Sequence, residues 1–473
     1  MSQKIAHNAP LAGAPAITIP AVYGGSPDKP FTMRLAVCGE RPMRFAVSGL
    51  PRGLSLRGNL VQGVCSAGEY PVTVTAENAL GRDEKVITLK IAEDGMLRTP
   101  LLGFTTWNAF ESRVTQKNVT DTAEAMVALG LAELGYRYVN VDSGWQKEYG
   151  GEYDAIQPNE KFPDMKAMYD RIHALGLKGG IYSTPMLHAW GCPEEFAWIP
   201  GCTRGEADIR FTDVNTGIGV ERLEANNVRQ WTEWGVDYLK YDWTPTDPVN
   251  ADLMKKELLR APREIPMCTT VHSAYCYWRY WQKNCCSWRD NGDTKDTWAS
   301  YLANFNTADR WKDVVCEGHF YDFDMLAIGA MDMNGGKCRT SENEELFEYT
   351  STAFFLSPIQ LSMRLDALTE FEFDLITNPE MIAINQDVLC RFPELVYEDA
   401  GKRKIYRRAL AGGRTAYAVF NLTEETLTGE IALDAPAAVR NVWERNDLGV
   451  LSAIPYEVEG HAAAVFVGMS NEQ

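Results

Sequence analysis

Carboxylates stand at or just after the ends of several short apolar runs in the middle of this 473-residue sequence. Asp142 ends YRYVNVD, Asp242 ends VDYLKYD and Asp293 follows CCSWRDNG, while Asp322 ends VVCEGHFYD and Asp324 comes two residues later. Glycoside hydrolysis needs one carboxylate as nucleophile and another as proton donor. The six histidines are scattered, so this pattern favours acid chemistry over a metal site. A loop cap or helix N-cap is an equally good interpretation of Asp322 and Asp324.

Two of these aspartates have basic neighbours that suit a catalytic role. Lys240 lies two residues before Asp242, on the same face of a strand, where its ammonium group would keep Asp242 ionised and could donate to a sugar hydroxyl. Arg289 and the turn Asn291-Gly292 precede Asp293 and could deliver its carboxyl group into a pocket. These two aspartates are therefore the first candidates for catalysis.

Strands and helices alternate between residues 98 and 387, which predicts a (β/α)8 barrel. Its eight strands are predicted at LLGFTTW, YRYVNVD, KGGIYST, VDYLKYD, IPMCTT, CCSWRDNG, VVCEGHFYD and SPIQLSM. Helices are predicted around Thr120–Leu134 and Pro163–Leu175, before Trp234, and near Ala251–Leu259. Barrel enzymes place their chemistry at the C-terminal ends of the strands, where the carboxylates stand. The long aperiodic stretch Pro185–Thr212 is predicted to be a functional loop.

Alternating apolar and polar residues with turn signals flank this region on both sides. They predict antiparallel β-sandwiches at residues 1–96 and 388–473, with the barrel at 97–387. The string LPRGLSLRGNLVQG…AGEYPVTVTAENALG resembles the immunoglobulin-like domains often appended to bacterial carbohydrate enzymes. The fold class is thus a multidomain chain with a central TIM barrel between two β-sandwiches.

The composition of the chain restricts the kinds of molecule that it can bind. The formal charge of −18 disfavours nucleic acid and anionic lipid surfaces, and no apolar run is long enough to span a membrane. Thirteen tryptophans and 20 tyrosines suit a flat neutral ligand such as a sugar, although a large core can absorb most of them. Eleven cysteines without a CxxC motif and no secretion signal predict a cytoplasmic protein. A secreted form stays an alternative if a leader has been trimmed, and a homo-oligomer is left open.

At the level of motifs, the central region resembles glycoside hydrolase family 27 of clan D, the α-galactosidase or melibiase group. WGVDYLKYD (234–242) is similar to the nucleophile strand of that family, and SWRDNGD (287–293) to its acid/base segment. Five further matches follow in family order: TPLLGFTTWNAF, GYRYVNVDSGW, FPDMKAMYDRIHALGLKGGIYS, DFDMLAIG and NPEMIAINQD. The resemblance implies a retaining exo-α-glycosidase that acts on an oligosaccharide or glycoconjugate and needs neither cofactor nor metal.

The resemblance also implies roles for individual residues. Asp242 matches the nucleophile and Asp293 the general acid/base. Trp107 matches the aromatic residue under the apolar face of the sugar, and Asp142 the carboxylate that binds its outer hydroxyls. The remaining positions expected to contact or surround the sugar are Tyr182, Lys240, Arg289, Asp324 and Met325.

Three positions depart from the pattern of the family. Ser143 replaces the second of two adjacent carboxylates, Thr269 replaces the acid that contacts the 2-position, and Trp243 replaces a cysteine near the pocket. Losing a charged hydrogen bond costs about 1.5–3 kcal/mol, which is enough to change the preferred sugar. An α-galactosidase is the first hypothesis, and an α-N-acetylgalactosaminidase or a β-L-arabinopyranosidase is an alternative. A non-catalytic carbohydrate-binding protein is a further alternative, which the presence of both aspartates disfavours.

Overall fold

The computed structural model describes residues 2–93, 95, 97–185, 222–243, 246–399 and 401–470. Within this part of the chain no helix is both long and apolar enough to cross a lipid bilayer. The loop predicted at Pro185–Thr212 lies outside the described residues, apart from Pro185. The predicted domain boundaries fall between regular elements: β9 ends at Ile91 and β10 begins at Leu102, while α10 ends at Asn385 and β20 begins at Glu394.

The N-terminal domain consists of short strands in two main sheets. Its strands are β1 (Ala16–Ile17), β2 (Val22–Gly25), β3 (Phe31–Arg34), β4 (Val37–Cys38), β5 (Arg44–Ser48), β6 (Leu54–Arg57), β7 (Leu60–Gly63), β8 (Gly68–Asn78) and β9 (Gly81–Ile91). One sheet has the order β2-β9-β8-β5 and the other β3-β7-β6, and β1 pairs with β4. The predicted antiparallel sandwich is present, and it has one parallel pair, β2 with β9, at the edge of a sheet. Alternate residues of the strands fill a separate apolar core.

Each of the eight predicted apolar runs contains a strand of the barrel. These strands are β10 (Leu102–Thr105), β11 (Tyr138–Val141), β14 (Lys178–Ser183), β15 (Tyr238–Tyr241), β16 (Met267–Thr269), β17 (Ser287–Trp288), β18 (Phe320–Tyr321) and β19 (Ile359–Leu361). They pair in parallel in the order β18-β17-β16-β15-β14-β11-β10-β19. Beyond β18, the Leu326 N–H donates to the Gln360 carbonyl oxygen at 2.9 Å, which links the two ends of the sheet. Both faces of these strands are covered, so their sequences are mainly apolar and do not alternate between apolar and polar residues.

Helices surround the barrel and follow most of its strands. They are α1 (Trp107–Phe110), α2 (Gln116–Ala128), α3 (Met165–Ala174), α4 (Glu224–Trp234), α5 (Pro248–Arg260), α6 (Trp278–Asn284), α7 (Trp298–Ala308), α8 (Glu342–Phe354), α9 (Glu370–Ile376) and α10 (Pro379–Asn385). A hairpin of β12 (Gln146–Gly150) and β13 (Ala155–Pro158) follows β11. Helix α2 begins four residues before the predicted start because Thr115 and Asn118 form a capping box. It ends early because Gly130 adopts a φ of 77°.

The C-terminal domain is antiparallel throughout. Its strands are β20 (Glu394–Asp399), β21 (Arg403–Leu410), β22 (Arg414–Asn421), β23 (Leu427–Asn441), β24 (Asn446–Val458) and β25 (Ala463–Ser470). They follow the order β20-β21-β22-β25-β23-β24, and β23 carries bulges against β24 that bend the long pair. Phe420 and Tyr406 from this sheet pack against Phe305 of α7, so barrel and C-terminal domain share one apolar core.

Residues 2–9, which we call the N-terminal strap, run along the barrel to the C-terminal sheet. The Ala6 N–H donates to the Trp443 carbonyl oxygen at 2.8 Å. The Glu459 N–H donates to Gln3 Oε1 at 3.0 Å. Ile5 packs against the shared core, so the strap is an integral part of the barrel's outer layer.

Candidate active site

A cavity of about 290 Å³ lies at the C-terminal ends of the barrel strands. Its lining residues are Trp107, Asp142, Ser143, Tyr182, Lys240, Asp242, Val271, His272, Asp293 and Met325. The volume is at the lower end of the range for small-molecule sites, which suits a single sugar ring. Eight of the twelve residues predicted for the site therefore line one cavity.

A larger cavity of about 530 Å³ lies at the opposite end of the barrel, between the N-terminal domain and the starts of β16 and β17. Its lining includes Lys29, Lys255 and Glu264. Side chains at this end of a parallel barrel serve stability rather than chemistry. The smaller cavity is the candidate active site.

Asp242 follows the last residue of β15 and is held there by the backbone. Its N–H donates to the Ser183 carbonyl oxygen at 2.9 Å, and its carboxylate accepts a hydrogen bond from the Thr270 hydroxyl. Burial raises the pKa of Asp242, while the positive charges of Lys240 and Arg289 oppose this effect. A half-buried carboxylate with few hydrogen bonds is poorly solvated, which favours nucleophilic attack.

Asp293 reaches the cavity from the turn that follows β17, and its side chain is 49% exposed. Arg289 Nη2 donates to Asp293 Oδ1 at 2.7 Å, and the other end of the same guanidinium group pairs with Asp324. Burial raises the pKa of Asp293, but the charges of Arg289 and Lys240 outweigh it, so the pKa lies below its ordinary value. Burial raises the pKa of Asp324 to about 6 despite Arg289. Two carboxylates thus share one cation beside the cavity.

Asp142 and Lys240 form a buried ion pair on the opposite wall. Lys240 Nζ lies 2.7 Å from Asp142 Oδ2, and the Thr105 hydroxyl donates to the same oxygen at 3.2 Å. The Ser143 N–H donates to Asp142 Oδ1 at 2.8 Å. Burial lowers the pKa of Lys240, but Asp142 and Asp324 outweigh it, so the ammonium group stays charged. This wall offers a fixed acceptor and a fixed donor to the hydroxyls of a ligand.

Three apolar or aromatic side chains complete the cavity. Trp107 begins α1 just beyond β10, and Tyr182 lies within β14. Met325 comes four residues after β18, and its sulfur accepts a hydrogen bond from the Ser362 hydroxyl at 3.7 Å. Flat and apolar walls of this kind can contact the C–H face of a sugar ring.

Four residues predicted for the site do not line the cavity. Trp243 is buried, its indole N–H donating to Asp247 at 3.0 Å, and Thr269 is buried with its hydroxyl 3.3 Å from that of Ser273. Arg289 and Asp324 are also buried and pair with each other. Polar groups of these four residues pair with other protein groups, and their contact with a sugar stays a prediction. Arg289 links the two carboxylates of Asp293 and Asp324.

Val271 and His272 line the cavity, although sequence reasoning did not select them. They follow β16, whose last residue, Thr269, was the position selected there. His272 adopts a φ of 60°, a conformation that is uncommon for residues other than glycine and often marks functional loops. His272 could have been selected from the sequence, because a histidine just past the end of a barrel strand is a candidate for the active site.

Among the described residues, one group of side chains has the spacing of metal ligands. It consists of His7, Glu370 and Asp374, outside the barrel cavity. Asp374 also accepts a hydrogen bond from the Asn8 N–H at 2.7 Å. The group therefore has a structural explanation, because it anchors the N-terminal strap to α9.

Comparison with known proteins gives the family. The family model described as alpha galactosidase A matches residues 100–208 and 216–387, more than half of the chain. The chain belongs to this family. A second model, the alpha galactosidase C-terminal beta sandwich domain, matches residues 400–467 of this alpha-galactosidase family member.

Individual relatives agree with the assignment. The alpha-galactosidase of Coffea arabica is 29% identical over 390 residues, which cover 79% of this chain and 94% of that protein. Two Bacteroides fragilis crystal structures, described as an alpha-galactosidase and an alpha-galactosidase/melibiase, share the fold with a TM-score of 0.86 each, at 25% and 27% identity. They cover 98% and 97% of this chain, and it covers 100% and 99% of theirs. The chain is a glycoside hydrolase of the alpha-galactosidase type.

Behind the site of this alpha-galactosidase family member, α8 carries a buried carboxyl group. Glu348 is fully buried, and neither of its carboxyl oxygens has a hydrogen-bond partner among the described residues. Burial, and to a smaller extent the charge of Asp324, raises the pKa of Glu348 to about 8. At neutral pH the native protein therefore holds this side chain as a neutral acid.

Replacing Glu348 by glutamine should change how stability depends on pH. In the unfolded chain Glu348 ionises above the ordinary glutamate pKa of 4.5, whereas the native protein keeps the proton to about pH 8. Stability of the parent therefore falls as pH rises between these values, and a neutral amide removes this loss. We expect the melting temperature of Glu348→Gln, relative to the parent, to rise by about 3 °C or more between pH 4.5 and pH 8.

The control for this prediction is Glu342→Gln, a change at an exposed position on the same helix. It should leave the pH dependence of the melting temperature as in the parent. A constant difference between Glu348→Gln and the parent across the pH range would contradict a proton held at Glu348.

Proposed function

We propose that the protein is a retaining exo-acting α-glycosidase that releases terminal α-linked galactose from oligosaccharides or glycoconjugates. The observation that carries the proposal is the convergence of Asp242 and Asp293 on one cavity of about 290 Å³. A cavity of this size takes one ring, which favours the removal of terminal residues. The family assignment supports the reaction class.

In the proposed mechanism Asp242 attacks the anomeric carbon and forms a covalent glycosyl-enzyme. Asp293 protonates the oxygen of the leaving group in this step. It then removes a proton from the water that cleaves the intermediate, so the sugar leaves with its original anomeric configuration. The positive charges of Lys240 and Arg289 favour the ionised form of Asp242, against the effect of burial, which raises its pKa.

Asp293 must carry a proton in the first step, and its surroundings offer a source. In the free protein Arg289 binds both Asp293 and Asp324, and the pKa of Asp324 is raised to about 6. A bound sugar would exclude water from the exposed side of Asp293, and desolvation raises a carboxyl pKa. A proton bound by either of these two carboxyl groups would then reside on Asp293.

The identity of the sugar is the open part of the proposal. Ser143 offers a hydroxyl where an acid is usual in the family, so a 2-acetamido sugar or a pentopyranose of galacto-like shape is the alternative substrate. A panel of nitrophenyl glycosides that differ at the 2-, 4- and 6-positions would decide among them. Proton NMR of the first-formed product should show the anomer of the substrate; the opposite anomer would contradict a nucleophilic Asp242.

Ser143→Asp should change the preference among sugars. Ser143 lines the cavity beside Asp142, so a carboxylate there can accept a hydrogen bond from an outer hydroxyl. Such a bond contributes about 1.5–3 kcal/mol, or roughly 10- to 100-fold in kcat/KM for a galactoside relative to the other sugars. The measurement is kcat/KM for galacto-, gluco- and arabino-configured nitrophenyl glycosides.

Ser143→Asn is the matched control, because it has nearly the same size without the charge. It should change the ratios among the three substrates less than the aspartate does. If Ser143→Asp changes kcat/KM for all three substrates by the same factor, Ser143 does not contact the hydroxyls that distinguish them.

A further inference from the structure

Three exposed tyrosines lie close together in the segment that leads from the cavity into α6. Tyr275, Tyr277 and Tyr280, which we call the tyrosine rim, are 37%, 42% and 49% exposed. Tyr397, on β20 of the C-terminal sheet, is the other tyrosine of comparable exposure in the described part of the chain. An aromatic group of this kind on a protein surface marks a binding region rather than part of the core.

The tyrosine rim adjoins the turn that carries Asp293. Its segment starts at His272, which lines the cavity. The next residue, Ser273, donates its N–H to the Arg289 carbonyl oxygen at 2.9 Å, so the two segments run side by side. The ring of Tyr275 lies 5.0 Å from that of Trp311.

A second contact fixes the same arrangement. Arg310, the residue before Trp311, donates to Asp290 at 2.7 Å, and Asp290 is three residues from Asp293. The tyrosine rim and the proposed acid/base therefore lie on the same side of the barrel. The rings are held in place, since Tyr277 packs edge-on against Tyr280 and Trp281 at 6.4 and 6.2 Å.

The proposed reaction determines which part of the substrate lies on this side of the barrel. Asp293 protonates the oxygen of the leaving group, so the leaving group occupies the space next to the Asp293 turn. The cavity holds about one ring, and the next ring of an oligosaccharide must lie outside it, at the mouth. Tyrosine presents a flat apolar face and a hydroxyl, which match the C–H face and hydroxyls of a neutral sugar.

We propose that the tyrosine rim binds the leaving-group saccharide of an oligosaccharide substrate. This inference rests on the proposed function, because it uses Asp293 as the acid/base. It assigns the rim to recognition of the part of the substrate beyond the scissile bond. The sugar in the cavity is recognised by other residues.

The test compares two substrates with the same glycon and different leaving groups. Raffinose presents a disaccharide leaving group, and α-galactosyl fluoride presents a single atom that cannot reach the rim. If the glycoside panel identifies another sugar, the corresponding fluoride and trisaccharide replace them. For the triple variant Tyr275→Ala, Tyr277→Ala, Tyr280→Ala, the ratio of kcat/KM for raffinose to that for the fluoride should fall about tenfold or more.

The control is Tyr397→Ala, which removes an equally exposed tyrosine far along the chain and should leave the ratio unchanged. If the triple variant unfolds at the assay temperature, Tyr280→Ala, which removes the most exposed ring, should lower the ratio about threefold. An unchanged ratio, or an equal loss on both substrates, overturns the proposal.

A binding measurement separates failure of this inference from failure of the proposed function. Raffinose is titrated calorimetrically into Asp242→Asn, with and without the rim substitutions. Weaker binding by about tenfold in the rim variant supports the inference, and equal binding overturns it. If the parent hydrolyses none of the glycosides, the proposed function fails, and the same titration into the parent still decides whether the rim binds the saccharide.

Discussion

The Asp242→Ala variant is expected to lose at least about 10⁴-fold in kcat, because the nucleophile takes part in both steps of the reaction. Among the described residues at this strand end, no side chain could replace Asp242: Lys240 is paired with Asp142, and the Thr270 hydroxyl donates to Asp242 itself. A better leaving group should not restore the rate, since the first bond to carbon is missing. Steady-state kinetics on nitrophenyl and disaccharide substrates measure both points.

Azide provides a positive control for this variant. The anion can enter the space left by the carboxylate and attack from the same face, which would produce a glycosyl azide of inverted configuration. Circular dichroism and the melting temperature should stay close to those of the parent, because the Lys240–Asp142 pair remains. Substantial activity of Asp242→Ala without azide would remove Asp242 from the role of nucleophile.

The Asp293→Ala variant should lose about 10²- to 10⁴-fold on substrates with a sugar leaving group and much less on nitrophenyl glycosides. A sugar alcohol leaves poorly unless its oxygen is protonated, whereas nitrophenolate leaves without a proton. Activity of the parent should fall at alkaline pH as the acid loses its proton, and this limb should flatten in the variant. The measurement is the pH profile of kcat/KM for both kinds of substrate.

Asp290→Ala is the matched control for Asp293, since Asp290 lies in the same turn and bonds Arg310 rather than facing the cavity. It should retain most activity and show no dependence of the loss on the leaving group. Azide should rescue Asp293→Ala with retained configuration, because here it attacks the glycosyl-enzyme from the opposite face. An equal loss on good and poor leaving groups would argue against an acid/base role.

The barrel and the strand-end aspartates were predictable because they rest on local patterns. A buried parallel strand needs a short apolar run, and the residue after it must face the C-terminal end of the barrel. Asp142 and Asp242 occupy such positions, and both line the cavity. The same logic selected Lys240 correctly for the cavity, because residues two apart share a face.

Residues just past a strand end were harder to place. Thr269 is the last residue of β16 and lies buried beside Ser273, while Val271 and His272 enter the cavity. A shift of one residue reverses the direction of a side chain in a strand, and the left-handed turn at His272 changes it again. Sequence alone does not reveal such a turn when the residue is not glycine.

Local sequence patterns also could not predict contacts between segments that are far apart in the chain. Arg289 was predicted to contact the sugar, but its pairing with Asp324, from the segment after β18, was not predicted. The parallel edge of the N-terminal sheet is a similar case, because β2 and β9 are far apart in sequence. In both cases, the packing of separate elements in three dimensions determines which residue or strand becomes the partner.

The N-terminal strap can reach its native position only after the C-terminal sheet has been synthesised, because it packs against that sheet. Gln3 and Glu459, which share a hydrogen bond, are 456 residues apart in the chain. At typical translation speeds roughly 20–90 s pass between the appearance of the two residues on the ribosome. During that interval Ile5 has no finished core to pack against, and its apolar surface is available to chaperones. The strap is therefore made long before the C-terminal sheet, yet it is among the last segments to reach its native position.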